Sequence, residues 1–504
     1  MKIMARYKEI EYKQSLLLAV NYSEQIIEGT FEHALCYLFD EGKIDAKIFD
    51  IKYKNDRMGR KAISPTVLLK IVLLAYSKGI YSSRRIETLC AENILFKSIS
   101  GNTCPDHSTI ANFISSMSEE IQSVFVDVLM VCNQLQLIGG EIFALDGHKV
   151  SSNASKEWSG KHSDLEKKKV KLESMVKLLI EKHKEIDKKE VKENYEERIG
   201  KYKSRIEKIR KFLATAVPRK GKRVEEVQSN ITDCESARIK SSHGVIQGYT
   251  GEAMVDSKKQ IIVYAEAFGD SHEQEYVDDM VLGTEKTLEQ IFDKKESMSG
   301  KILLADNGNF SETNLSFLAS KKIDAYIPDH NFRKRDPRYA TAKRHKVKDK
   351  KEESSYYRID KFEYDSERDC FKCPNGAILK RSRSESIVKG RYMGKRYVST
   401  VGACRNCELR EKCLRNKKAK MKTLLTLRGI PDQKSFTEQM QSKIDSKEGR
   451  EMYSKRMGIV EPVFANIRFH KRLNYFTLRT KDKVNIQWNL FALIHNIDKI
   501  RKFI

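Results

Sequence analysis

Two carboxylates stand where apolar runs stop. In Lys301-Ile-Leu-Leu-Ala-Asp-Asn-Gly-Asn-Phe310 four apolar residues lead into Asp306, and Asn307-Gly308 follows at once. Such a run reads as a buried strand ending at a turn. Ile142-Phe-Ala-Leu-Asp-Gly147 has the same shape and presents Asp146. If the two strands are neighbours, the carboxylates can share a hard divalent cation once a third oxygen ligand joins them.

A second cluster is made of thiols. Cys404 and Cys407 form a Cys-x-x-Cys pair, Cys413 follows six residues on, and Cys373 opens a Cys-Pro-x-Gly turn. Four thiolates in two halves match a closed tetrahedral zinc site of structural type: Cys373, Cys404, Cys407 and Cys413. Cys370 is a fifth candidate, and Cys373 is favoured because Pro374 and Gly376 shape the loop behind it. The plain alternatives are reduced thiols or one disulfide. The other five cysteines (36, 90, 104, 132 and 234) are scattered and read as small buried apolar residues.

A third group lies on one stretch, Glu451 to Arg468. Tyr453, Arg456, Val460, Phe464, Ile467 and Arg468 fall at helical spacings, and Arg468 is two turns past Glu461. A carboxylate flanked by cations suits a metal held by Glu461 beside a phosphate held by Arg456 and Arg468. A surface helix with charge pairs would look the same.

The elements that must position these residues fall into blocks. Residues 1–138 read as all-helical, with Pro65 opening one helix, Ser82 or Ser83 capping the next, and Asp106 or Ser108 starting another. Short helices, tight turns and the adjacent Arg84 and Arg85 fit a helix-turn-helix-like DNA reader, or a helical domain whose polar residues only cap. Residues 139–340 read as a mixed α/β layer. It is interrupted at about 160–215 by a Lys- and Glu-rich helical hairpin turning near Asp187 to Glu193. Its seams are Leu165, Leu172, Leu179 and Ile186, then Ile199, Tyr202, Ile206, Ile209 and Leu213. Within the layer a β-hairpin turns at Ser257 to Lys259, a helix spans Val277 to Phe292, and a short strand begins at Ile323. Residues 341–420 form a basic, cysteine-rich insert, and the basic run from Arg333 to Lys348 leads into it. Residues 421–504 end in helices, the last of them strongly apolar over Ile486 to Ile500.

At 504 residues, three domains of ordinary size are expected. The net charge is +25 and the pI about 9.4, more positive than solubility requires and suited to a polyanion, nucleic acid before an anionic membrane surface. Runs long enough to span a membrane are absent, and Met1-Lys-Ile-Met-Ala-Arg-Tyr-Lys lacks the apolar centre of a signal peptide. A cytoplasmic, nucleoid-associated protein is expected.

Taken in order, these motifs resemble bacterial insertion-sequence transposases of the DDE class. The matching stretches are Ser83-Arg84-Arg85 with Pro105-Asp-His-Ser-Thr-Ile110, then Leu145-Asp146-Gly147 with Asn153-Ala154-Ser155. They continue with Thr232-Asp233 to Arg238 and Gly248-Tyr249, Ala305-Asp306-Asn-Gly308, and Tyr453, Arg456, Glu461 and Arg468 against the family's Tyr-Arg-Glu-Lys helix. Three departures stand out. His148 replaces a small polar residue, Arg468 replaces lysine, and four residues rather than three separate Arg456 from Glu461.

The resemblance implies an RNase H-like catalytic layer with Asp146, Asp306 and Glu461 as catalytic ligands of Mg²⁺ or Mn²⁺. It implies cleavage and transfer of DNA strands, with Tyr453, Arg456, Arg468, Lys471 and Arg472 near the cut phosphates and Arg84 and Arg85 on element ends. It further implies double-stranded DNA as partner and a homodimer on it. A metal-dependent nuclease, or an idle DNA-binding relative, is the alternative on the same fold.

Overall fold

A computed structural model describes residues 19–53, 61–184, 189–220, 226–241, 244–270, 276–339, 356–365, 367–382, 386–388, 392–416, 418–426 and 435–504. Six helices come first: α1 (Phe31–Phe39), α2 (Pro65–Ser77), α3 (Ser83–Glu92), α4 (Ile94–Ser100), α5 (His107–Ser116) and α6 (Glu120–Gln134). Their starts follow local chemistry. Pro65 sits in the first turn of α2, and the Asp106 carboxylate accepts from Ser108 N and Thr109 N to open α5.

Strand β1 (Ile142–Ser151) follows. A short bridge between β2 (Ser159–Gly160) and β3 (Ser229–Asn230) closes the base of the hairpin α7 (His162–Lys184) and α8 (Lys189–Thr215). The expected antiparallel pair therefore forms, on a core of Leu165, Leu172, Val176, Ile206, Ile209 and Phe212; Val176 rather than the expected Leu179 joins it, and Ile186 and the start of the turn, Asp187 and Lys188, lie outside the described residues. Next come β4 (Ala237–Ser241), β5 (Gly244–Asp256), β6 (Ile262–Phe268), α9 (Val277–Phe292), β7 (Ile302–Ala305), α10 (Glu312–Ser320), β8 (Asp324–Tyr326) and α11 (Phe332–Arg335).

These strands make one mixed sheet in the order β4-β5-β1-β7-β8, with β6 also pairing β5. The β4–β5, β5–β6 and β1–β5 ladders are antiparallel, whereas β1–β7 and β7–β8 are parallel. A second sheet holds β9 (Glu363–Asp365), β10 (Cys370–Lys372), β11 (Ile378–Arg381), β12 (Ser386–Val388), β13 (Tyr392–Val398) and β14 (Thr423–Thr426). Two short helices, α12 (Val401–Arg405) and α13 (Arg410–Cys413), lie between β13 and β14. The chain returns through α14 (Phe436–Asp445), α15 (Lys447–Ala465) and α16 (Lys481–Ile500).

The last helix organises the molecule. Every residue from Ile486 to Ile497 is buried. It packs on α1, α2, α5 and α6 as well as on β6, so one continuous hydrophobic cluster runs from Phe31 to Ile500. The helical residues expected as a separate N-terminal block thus share their core with the α/β layer.

Helix α16 also closes an open sheet edge. Asn496 exchanges hydrogen bonds with the amide and carbonyl of Ile262 (2.9 and 2.8 Å), and Asn485 does so with Ala267 (2.7 and 3.2 Å). Eleven helical residues rise about 16.5 Å, the length of five strand residues at about 3.3 Å each. The two asparagines are therefore in step with the strand, and the unpaired groups of an edge are satisfied in two places.

Candidate active site

The register of β1 and β7 sets the two aspartates side by side. Leu145 pairs with Ala305 at the end of a parallel ladder, and the next residue on each strand is Asp146 and Asp306. Paired positions in neighbouring strands face the same way and lie about 5 Å apart. Asp306 is fixed by its own turn: Oδ1 accepts from Gly308 N (2.9 Å) and from the Asn309 side-chain amide (3.1 Å).

Helix α15 crosses that face. Ser446 caps it by accepting from Gly449 N, and Arg456, Ile459, Val460 and Val463 are buried on its inner side. Arg456 donates to Asp146 Oδ1 at 2.8 Å and is only 9% exposed, so it was expected on phosphate but is found on a carboxylate. The reason is electrostatic: a half-buried aspartate needs a counter-charge, and the Arg456 guanidinium supplies one. One turn earlier, Tyr453 stacks edge-on against Phe332 of α11 at 5.5 Å. Burial is the largest influence on its phenol and raises it. Arg456 and Arg333 act downward, while Asp306 and Asp146 act upward, so the hydroxyl senses both carboxylates.

Pro462 follows Glu461 inside α15 and cannot donate to the carbonyl of Gly458. The Gln260 side-chain amide takes that carbonyl instead, at 2.8 Å. Glu461 itself is exposed. It lies one turn before Phe464, whose ring is 6.2 Å from His148 and stacks at 6.4 Å on Trp488. Trp488 fits there because Gly251, the register partner of His148, has no side chain; a Cβ would meet the indole at 2.9 Å. His148 is on the Asp146 face of β1, two residues on. Burial, and then Arg468, hold its imidazole below the ordinary histidine value. Asp146 and Asp306 are thus brought together with Tyr453 and Arg456, and Arg468 lies near His148. Among the described residues, no three His, Cys, Asp or Glu side chains are grouped closely enough to hold a metal ion, so Glu461 is not drawn in beside the aspartates.

The remaining basic candidates separate. Arg84 and Arg85 are exposed on α3. Lys471, expected near DNA phosphates, is 7% exposed: its ammonium pairs with Asp498 and lies 5.7 Å over the Phe31 ring. A buried ammonium needs such a partner, and α16 supplies it. Arg472 is exposed at φ +56° and lies against Gly79, where a Cβ would meet its Cδ at 2.9 Å. Part of the basic run is likewise neutralised. Arg335 is forked between Asp329 and Asp445, and Arg338 pairs with Asp336 at 2.8 Å. Lys343, Arg344, Lys346 and Lys348 lie outside the described residues.

In the second sheet, Cys373, Cys404, Cys407 and Cys413 line one cavity with Arg410 and Lys422. Burial raises the Cys413 thiol, Lys422 lowers it, and Cys404, Cys373 and Cys407 each raise it further. Cys370 is instead buried in β10, opposite Lys380 and Asp365.

Several supporting residues escaped the sequence reading. Gln260 and Phe332 carry no local signal. Asn309 could have been noticed in the string Asp306-Asn-Gly-Asn309, where an amide returns to the preceding carboxylate.

Two family models match the chain. One, described as a transposase DDE domain, matches residues 372–501. The other, described as a transposase domain (DUF772), matches residues 20–116. No curated protein matches the chain.

Proposed function

We propose that the chain is an insertion-sequence transposase of the DDE class, in keeping with the transposase-domain models that match residues 372–501 and 20–116, and that it cuts DNA strands at the ends of a mobile element and joins them to a target. Asp146, Asp306 and Glu461 are the proposed carboxylates. The observation that carries the reading is the adjacency of Asp146 and Asp306 at the end of one parallel ladder, beneath the helix that bears Glu461. The sheet is proposed to be RNase H-like. In support, once β4 at the start of β5 is set aside, three antiparallel strands (β6, β5, β1) are followed by two parallel ones (β7, β8), in sequence order 3-2-1-4-5.

By donor chemistry the three carboxylates suit Mg²⁺ or Mn²⁺, because carboxylate oxygens are hard ligands and Asp306 is already held by its turn, but Glu461 would have to move in beside the aspartates to complete the set. When bound, such ions supply a Lewis acid for the attacking hydroxyl and for the leaving 3′-oxygen. The chain's own residues do the rest. Asp306 keeps its orientation through Gly308 and Asn309. Arg456 balances Asp146 and stands next to where a scissile phosphate would lie. Arg468 and Arg472 are exposed beyond the helix, and Arg472 touches the turn at Gly79 that precedes Arg84 and Arg85 on α3. That gives DNA a basic route from the N-terminal helices to the carboxylates, in keeping with the +25 charge. A homodimer on two DNA ends is part of the proposal. Among the described residues no helix is long and apolar enough to cross a membrane.

One observation favours the rival, an idle DNA-binding relative: Glu461 is exposed and stands apart from the aspartates. Incubating the full chain with pre-cut and uncut element ends and Mg²⁺ separates the readings. Strand transfer that disappears in Asp306→Asn and in Glu461→Gln is expected. Hydrolysis without joining indicates a nuclease, and binding without either reaction overturns the proposal.

A further inference from the structure

The hairpin of α7 and α8 carries its charge unevenly. Along α7, four acids are interspersed among seven lysines, the mixture of a solvated helix. Along α8 the signs separate. Its first stretch, Lys189 to Glu197, holds two lysines and four glutamates. From Arg198 to Thr215, seven cations stand against one acid, Glu207. A helix dipole attracts cations only to the last turn, and the last turn of α8 has none. The excess therefore has another cause.

The excess is also one-sided. Ile206, Ile209 and Phe212 are buried in the seam with α7. Lys201, Arg205, Lys208 and Lys211 recur at helical spacing and fall on the outer side. Arg210 lies on the other flank, paired with Glu207 at 3.1 Å and 3.6 Å from Glu173 of α7. Lys201 closes the distal end of the stripe in a pair with Glu197 at 2.5 Å. Lys208 and Lys211 are exposed, and among the described residues no carboxylate pairs with them. Lys168 of α7 reaches the same side, because it and Arg205 flank the Trp158 ring at 5.0 and 5.7 Å.

The hairpin is held in a fixed direction. Its root is bridged by β2 and β3. Behind the bridge the buried Asn230 amide donates to Ser155 O at 2.8 Å and to Ser159 Oγ at 2.9 Å. Ser159 Oγ donates in turn to Gln247 Oε1 of β5 at 2.7 Å. A satisfied buried polar network of this kind rigidifies what it joins. The root begins where β1 ends, at Ser151, five residues past Asp146. That is about 16.5 Å of strand, or about five base pairs of duplex. A duplex lying along β1 with one phosphate at Asp146 reaches the root within about half a helical turn. The four cations of the stripe then cover about 15 Å of helix, enough for several phosphates.

We propose that α8 is a backbone-contact arm for duplex DNA. Lys201, Arg205, Lys208 and Lys211 lie against phosphates away from the cut, and the mixed-charge tip of the hairpin stands clear. Cations on phosphate fix position and carry no sequence preference. The arm rests on the reading of the chain as a protein that acts on DNA, and adds to it a contact remote from the carboxylates.

The test compares two double variants of the full chain that remove the same charge. One is Lys208→Gln with Lys211→Gln, on the stripe. The other is Lys182→Gln with Lys184→Gln, near the tip. Binding to a labelled random-sequence duplex of about 30 base pairs, three helical turns, is followed by anisotropy across a salt series. EDTA is present, so catalysis plays no part. The stripe variant should lower the slope of log affinity against log salt by about 1.8, close to 0.9 for each phosphate released, and weaken binding at 0.1 M salt by about tenfold or more. The tip variant should match the unmodified chain, and both should melt with it, since all four lysines are exposed. A stripe variant with an unchanged slope, or two variants that lower it equally, would overturn the arm while leaving the strand-transfer reading in place. An unmodified chain that does not hold the duplex would overturn both. Binding with the expected slopes but no joining of strands supports the arm and sinks only the transfer reading.

Discussion

The sheet around β1 and the sheet around β10 differ in what holds them. The first is sealed by α16, which fills its core from one side and the core of the N-terminal helices from the other. The second has, among the described residues, a buried apolar cluster of only five and a cavity lined with thiols. Burial scales with size, so a large core needs no staple and a small one does. The contrast teaches that two parts of one chain can be stable for unrelated reasons and should fail under different insults.

Trp488→Ala should have the largest effect. The indole is fully buried, stacks on Phe464 and donates to Glu252 O at 2.9 Å. Its loss should cost about 3–5 kcal/mol. Because α16 is shared, the N-terminal helices and the main sheet should melt together, and two separate transitions would break the comparison. Leu379→Ala should cost about 2–5 kcal/mol but only within the small sheet. Amide exchange should quicken over residues 362–424 and stay unchanged in α16.

Acid should discriminate next. His495 in α16 is buried with Nε2 donating to Gln260 O at 2.8 Å, while Nδ1 lies 3.0 Å from the Asn466 amide. That pattern needs a neutral ring, and burial pushes the imidazole down to about 4. Unfolded histidine titrates near 6.5. Between those values the unfolded chain binds a proton that the folded chain refuses, so stability is full above the unfolded value and falls as pH drops. The slope is at most about 1.4 kcal/mol per pH unit. Melting of the main core from pH 7 to 4.5 should show that slope, and His495→Gln should flatten it. An unchanged profile would remove His495 from the account. Gln260→Ala should have the smallest effect, about 0.5–1.5 kcal/mol, through the Gly458 carbonyl it leaves to water.

Much of the fold could be read from local chemistry. The helix at Val277–Phe292 and the strand before Asp306 followed from apolar spacing, and the helical hairpin followed from its two seams. So did the side-by-side aspartates, which need only that two similar strands be neighbours. Long-range pairing could not be read. Lys471 looked like one more exposed cation, yet Asp498, 27 residues later, draws it inward. Arg456 fell on the expected helix face, but nothing local says that it would meet Asp146 rather than solvent. Asn485 and Asn496 carry no signal until β6 lies beside them. The preference for Cys373 over Cys370 came from the turn residues behind it, and in the structure Cys373 lines the cavity while Cys370 faces its strand partners.

That α16 follows in the chain every element it packs on has a consequence for synthesis. Both surfaces that it covers, the inner faces of the N-terminal helices and the edge of β6, are translated hundreds of residues before it. Until the ribosome has released residues 481–500, the nascent chain carries two large unsealed apolar faces, the state most open to aggregation and to chaperone capture. A frameshift or stop codon just ahead of Lys481 would leave every motif from Arg84 to Arg468 intact in the message, and yield a polypeptide that cannot assemble around them.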